Sequence, residues 1–409
     1  MPSPSGWRDH AAVSGITPSP VVYLDHAATS PVRPEVVEAM APFAAARFAN
    51  ASGSHRLARD ARVAVEEARE HVAGVLGADP AEVVFTSGGT EADNLAIFGT
   101  LASRARAGEP VTAVCSATEH SAVLEPMRAA ARGAAAVFGI GSVTLLEVGV
   151  SAEGVIDLDH LSDMLGSHTA LVSVMTANNE VGTIQPVQEV ADLVHRRAPA
   201  AALHTDAVQA APYVDLAAAT GACDLVSVSA HKLGGPKGAG ALVVRAPNQI
   251  VPTLHGGGQE HERRSGTHNV AGIVGLAAAL RLAEAGRRGE VTRVAALRDR
   301  LADALRCAVP DTVESARRSA VLPGHLHLRF AGVEQEELLV LLDREGVCAS
   351  AGSACASGAI EPSHVLLAMG VSPVDAGTAV RFTLGYTTTE AEVDRAVDVV
   401  ASAVARLRR

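Results

Sequence analysis

The chain has 409 residues, 48% apolar and 19% charged, an ordinary globular composition with ample material for a buried core. A formal net charge of −11 without any Lys/Arg-rich run argues against direct nucleic-acid binding, and no apolar stretch is long enough to span a bilayer. Five cysteines, an odd number with no C-x-x-C pair, argue against a disulfide framework or a structural zinc site. The opening residues MPSPSGWRDHAAVSG lack the basic-then-apolar order of a secretory signal, so a cytoplasmic protein with reduced thiols is expected. Residues 1–20 read as a poorly ordered arm.

From about residue 60 the spacing predicts a helix over 60–76, a strand over 82–86 and a helix resuming at 91–99. Strand candidates follow at 111–115, 143–147, 170–175, 201–205, 224–229 and 240–245, with helices over 186–197 and 271–287. Strands alternating with helices imply an α/β domain built on a mainly parallel sheet. After about residue 290 the pattern changes. An Arg-rich helix over 291–308 precedes a strand near 325–330, a helix at 335–345, a Gly/Ser/Ala run at 349–358, a strand near 379–384 and a last helix from 389. This part reads as a smaller α+β domain.

Several segments carry groups suited to chemistry. SGGTEADN (87–94) follows a strand and opens a helix, where free N–H groups and small residues can cradle an anion. Gly88, Gly89 and Thr90 are the cradle candidates, and a plain capped turn is an equally good reading. HTDAVQ (204–209) ends a strand, which places Asp206 where ligands of open α/β sheets sit. Its carboxylate could pair with a protonated ring nitrogen or simply cap a helix. In SVSAHKLGGPKGAG (227–240) Lys232 falls at a strand end before a Gly-rich turn, and desolvation there would lower its pKa and suit it to nucleophilic attack on a carbonyl. Cys355 lies in ASAGSACASG (349–358), a run without helix or strand pattern that should be solvent-reachable. Cys223 and Cys307, by contrast, read as inert core residues. Arg381, inside the apolar strand AVRFTLG, needs a partner, either a ligand carboxylate or a structural acid. His120, after the strand at 111–115, is another strand-end polar group. HGGG (255–258) resembles an esterase loop, but no G-x-S-x-G elbow accompanies it. His255, His261 and His268 do not match a metal-ligand spacing, and no metal is expected.

Together these segments resemble one family. YLDHAAT (23–29), SGGTEADN, ATEHSAV, ANNEVG (177–182), HTDAVQ, SAHKLGGPKG, HGGGQE and RRSGT within 255–267, GSACASG and EPSHVLLAMG (361–370) are similar, in family order, to cysteine desulfurases of the class V aminotransferase group. The resemblance runs from about residue 22 to the C-terminus and follows the branch with a long catalytic loop. It implies the fold-type I pyridoxal-phosphate architecture: a large domain (34–275) with a mainly parallel seven-stranded sheet, and a small α+β domain (21–33 with 276–409) carrying the Cys355 loop. It implies pyridoxal 5'-phosphate as cofactor, attached to Lys232, with Asp206 on the ring nitrogen and His120 stacked on the ring. Gln209 and Asn179 would bond the ring oxygen or the substrate carboxylate, and Gly89, Thr90, Ser229 and His231 the phosphate. Thr267 would be a phosphate ligand given by the second subunit of a homodimer. Arg381 would clamp the carboxylate of L-cysteine, and Cys355 would take its sulfur as a persulfide for an acceptor protein, by default an iron–sulfur scaffold. Ser30 departs from the Thr frequent at that place, and Cys348 is an extra thiol. An aminotransferase or lyase of the same fold would need Lys232 but not Cys355.

Overall fold

The computed structural model describes residues 21–105, 110–352 and 362–409. Seven strands form one sheet in the spatial order Val83–Thr86, Gly240–Val244, Leu225–Ser229, Ala202–Asp206, Thr169–Ser173, Val111–Ser116, Val143–Val148. Gly240–Val244 runs antiparallel to both neighbours, and every other pairing is parallel. The expected mainly parallel, seven-stranded sheet is therefore present. Every residue of Thr169–Ser173, Ala202–Asp206, Leu225–Ser229 and Gly240–Val244 is buried. That explains why these strands read as near-continuous apolar or small runs rather than alternating ones.

Alternate strand residues serve two cores, as the period of two requires. Val114, Val172, Leu203 and Val226 face a core closed by helices Arg56–Leu76 and Val187–Arg197 and by the start of Val270–Ala308. Ala113, Leu171, Ala202 and Leu225 face the other, closed by Gly89–Arg104 and Ser121–Ala131. A third core has its own antiparallel sheet, ordered Ala379–Thr383, His325–Phe330, Thr312–Glu314. Helices Gln335–Arg344 and Glu390–Leu407 and the later turns of Val270–Ala308 pack on it around Phe330, Phe382 and Leu301. The short strand Val22–Tyr23 pairs in parallel with Val347–Cys348, which brings Val22 and Leu24 into this core.

Two sequence expectations need correction. The helices expected over 271–287 and 291–308 are one continuous helix of 39 residues, Val270–Ala308. The Gly-Arg-Arg-Gly run at 286–289 reads as a break, yet the helix runs on through it, with Leu276 and Leu280 before the run and Val294 and Leu297 after it packed into two cores. Cys307 is exposed rather than buried. Leu301, Ala302 and Leu305 set the inward face of the helix, and position 307 falls outside that stripe. Helices Pro34–Ala44 and Ser121–Ala131 lie in stretches for which the spacing predicts no element, and each contains a proline, Pro42 and Pro126. Among the described residues, no helix is long and apolar enough to cross a membrane.

Candidate active site

The parallel strands end along one edge of the sheet, and the polar residues that follow them converge on a cavity of roughly 670 Å³. His120 comes from beyond Val111–Ser116, Asn179 from beyond Thr169–Ser173, Asp206 from the end of its own strand, and Ser229 and Lys232 from the end of Leu225–Ser229. Gly89, Thr90, Gln209, His231 and Arg381 complete the set. Ten of the twelve expected site residues thus meet in one place. Thr267 is exposed and does not line this cavity. Cys355 lies outside the described residues, but Gly352 and Pro362, which border its segment, both line the cavity.

At one end of the cavity, Gly89 opens the 16-residue helix Gly89–Arg104. A Cβ at Gly89 would come within 2.9 Å of Val208 Cγ2, and one at Gly240 within 2.7 Å of the Gly88 carbonyl carbon. Only glycine at both positions leaves the helix N-terminus this close to the sheet, where its free N–H groups and positive dipole end suit a phosphate. Ser229 is buried beside it. His231 shares a 3.3 Å contact with Thr29 Oγ1, and burial pushes its pKa down to about 4.

Asp206 is buried, and its Oδ1 accepts from the Val208 amide at 2.9 Å. Burial raises its pKa, against the lowering effect of His120, the Val208 amide and Lys232. His120 caps the helix Ser121–Ala131: its Nδ1 accepts from the Ala122 amide at 3.1 Å, so a neutral ring carries its proton on Nε2. Burial lowers its pKa. Lys232 donates to the Ala27 and Ala28 carbonyls, the second at 2.8 Å. Burial, reinforced by the nearby Arg381 charge, brings its amine down to about 8, while Asp206 and Asp25 pull the other way.

Arg381 is 2% exposed. Its Nη2 meets Asp25 Oδ1 at 2.8 Å and its Nη1 donates to the Asn179 carbonyl at 2.8 Å. The structural acid considered from the sequence is therefore present, yet Arg381 Nε has no partner among the described residues. Gln209 Oε1 is likewise buried without one. The cavity so combines an anion cradle, a buried carboxylate, a desolvated amine and two unfilled hydrogen-bonding positions. This set fits pyridoxal phosphate, whose phosphate, ring nitrogen, carbonyl and ring oxygen each find a counterpart.

Sequence reasoning missed three acids around the cavity. Asp25 lies in a quoted motif, and its pairing with Arg381 joins residues 356 positions apart. Asp93, in the helix that carries the cradle, lines the cavity and is 1% exposed. Burial and the neighbouring Asp206 push its pKa well up. Glu180, also lining the cavity, accepts from Ser363 Oγ and is raised by burial. In sequence Asp93 reads as an ordinary acid near a helix N-terminus and Glu180 as loop polarity.

The aminotransferase class-V family model matches residues 22–396. A cysteine desulfurase IscS from Dictyoglomus turgidum is 42% identical over 374 residues, 91% of this chain and 92% of its own length. An IscS-like cysteine desulfurase from Mycobacterium tuberculosis is 43% identical over 365 residues, 88% of this chain and 90% of its own. Among solved structures, a NifS-like protein superposes with a TM-score of 0.86 at 34% identity, covering 94% of this chain and all of that one.

Proposed function

Because the chain belongs to the class-V aminotransferase family, and within it to the pyridoxal-phosphate-dependent cysteine desulfurases, we propose that it converts L-cysteine to L-alanine and moves the sulfur onto Cys355. The observation that carries the residue assignment is the convergence of Lys232, Asp206 and Arg381 on a cavity bordered by Gly352 and Pro362. Cys355 is three positions beyond Gly352 in the chain.

Each residue has a defined task. Gly89, Thr90, Ser229 and His231 hold the phosphate, and Lys232 attaches the cofactor through Nζ. Asp206 keeps the ring nitrogen protonated, and His120 stacks on the ring. Bound in this way, the cofactor supplies an electron sink for the pair left when the substrate loses its α-proton. Arg381 and Asn179 orient the substrate carboxylate, with Arg381 Nε and the Asn179 and Gln209 side chains supplying hydrogen bonds to substrate or ring oxygen. With the cofactor held there, the Lys232 amine or the His120 ring would take the α-proton of the substrate and return it. The Cys355 thiolate then attacks the substrate sulfur. The sulfur–sulfur bond forms as the carbon–sulfur bond breaks, the substrate carbon is protonated, and cysteine plus thiol become alanine plus persulfide.

We further propose that Thr267 serves the phosphate of a second subunit in a homodimer. Its exposure, away from the cavity of its own chain, supports this. The protein would act in the cytoplasm and pass sulfur to an acceptor protein, an iron–sulfur scaffold by preference, with 21–33 and 276–409 forming the smaller domain beside 34–275. Cys355→Ser should keep the cofactor's absorbance and its response to L-cysteine while losing sulfide release with a reductant. Lys232→Ala should lose both. Undiminished desulfuration by Cys355→Ser would overturn the nucleophile assignment.

A further inference from the structure

The segment that carries Thr267 is built in an unusual way. Glu260, His261 and Glu262 are three consecutive non-glycine residues with positive φ, at 50°, 56° and 64°. L-residues enter this region only when their surroundings hold them there. The hold is on Glu260, which is 4% exposed. Its carboxylate takes a forked pair from Arg69 at 2.8 and 2.9 Å and the Phe85 amide at 2.7 Å, and Oε1 lies 2.7 Å from His268 Nε2. Arg69 is itself buried at 3%, donates to the Val83 carbonyl at 2.8 Å and lies over the Phe85 ring. The strained turn is therefore fixed to helix Arg56–Leu76 and strand Val83–Thr86.

The same turn grips both neighbours of Thr267. Gln259 Oε1 accepts from the Gly266 amide at 3.0 Å, and Glu260 holds His268. Thr267 stands between these two anchors and is itself exposed. Two consecutive residues thus fix the positions on either side of a third that has no role in its own chain's cavity. We propose that Glu260, clamped by Arg69, is a positioning residue that presents Thr267 to the cofactor phosphate of the partner subunit. The inference rests on the reading of Thr267 as a ligand given across the dimer. A role confined to folding would act within its own chain; this one acts in the other.

The test uses heterodimers, co-expressed with two affinity tags and titrated with pyridoxal phosphate. The absorbance of Lys232-bound cofactor reports only the chain that retains Lys232. Arg69→Met with Glu260→Gln removes the clamp without stranding a buried charge. As a homodimer this double variant should bind the cofactor about tenfold more weakly, the loss of one charge-assisted hydrogen bond. Paired with a Lys232→Ala chain, its Lys232 site should recover wild-type affinity, and the heterodimer should turn over cysteine at about half the wild-type rate, one competent site of two. Thr267→Ala paired with Lys232→Ala should behave in the same way. Restoration for Thr267→Ala but not for the clamp variant would overturn the positioning role alone. No restoration for Thr267→Ala would overturn the shared-ligand reading and this inference with it. Unchanged affinity in the clamp-variant homodimer would also overturn the inference.

Discussion

Lys232 and Arg381 illustrate how much one charge in a closed site governs the next. Arg381 is among the causes that hold the Lys232 amine near 8. At pH 7 about a tenth of such an amine is neutral, several hundredfold more than for a free lysine. Arg381 is in turn steadied by Asp25 and by the Asn179 carbonyl, which leaves Nε as a further donor. A lysine at 381 keeps the charge but loses the fork. Arg381→Lys should therefore raise the KM for L-cysteine by about tenfold or more with a smaller change in kcat, as expected for a lost charge-assisted hydrogen bond. Steady-state kinetics check this. An unchanged KM would mean that Arg381 serves only its ion pair with Asp25.

Among the elements, the strands and the turns at their ends were the most legible in sequence. Short apolar runs followed by Gly, Ser, Asp or His gave the positions of His120, Asp206 and Lys232, because a buried strand and its polar terminus are both local signals. The 255–267 segment was not legible. Glu260 depends on Arg69, 191 positions away, and no local pattern announces a buried ion pair or three left-handed residues. The glycines at 286 and 289 misled for a related reason, since packing overrode propensity. Glu260 also has a thermodynamic signature. Hydrogen bonds from Arg69 and His268, with the Arg69 charge, overcome burial and bring its carboxyl down to about 2 from an ordinary 4.5. The native state therefore favours the ionised form. The stabilisation is fully present above about pH 4.5 and is lost as the pH falls towards 2, an amount of about 3 kcal/mol. Urea unfolding across pH 2–6 should show that Glu260→Gln lacks this part of the acid dependence. Parallel curves for variant and wild type would contradict it.

At the scale of the whole molecule, the sheet, its two faces and the third core together bury imidazoles that titrate freely once the chain unfolds. His26 is brought to about 4, and His204, His325 and His327 to about 3, in every case chiefly by burial. Below about pH 6.5 the unfolded chain binds these protons and the native state does not, so stability falls as the pH drops, by up to about 1.4 kcal/mol per pH unit for each ring. Thermal unfolding of the holoenzyme should accordingly weaken from pH 6.5 downwards, before the ordinary carboxylates titrate. A flat melting temperature between pH 6.5 and 5 would count against this. The family was readable from ordered motifs, whereas the continuity of the single helix Val270–Ala308 was not. The most direct test of the account joins the cavity to Cys355. Holoenzyme given one equivalent of L-cysteine per subunit, without reductant, would be digested and analysed by mass spectrometry while alanine is quantified. The expected result is one alanine released per subunit and one added sulfur atom on the peptide containing Cys355. Alanine formed with the sulfur on another cysteine, or released directly as sulfide, would contradict it.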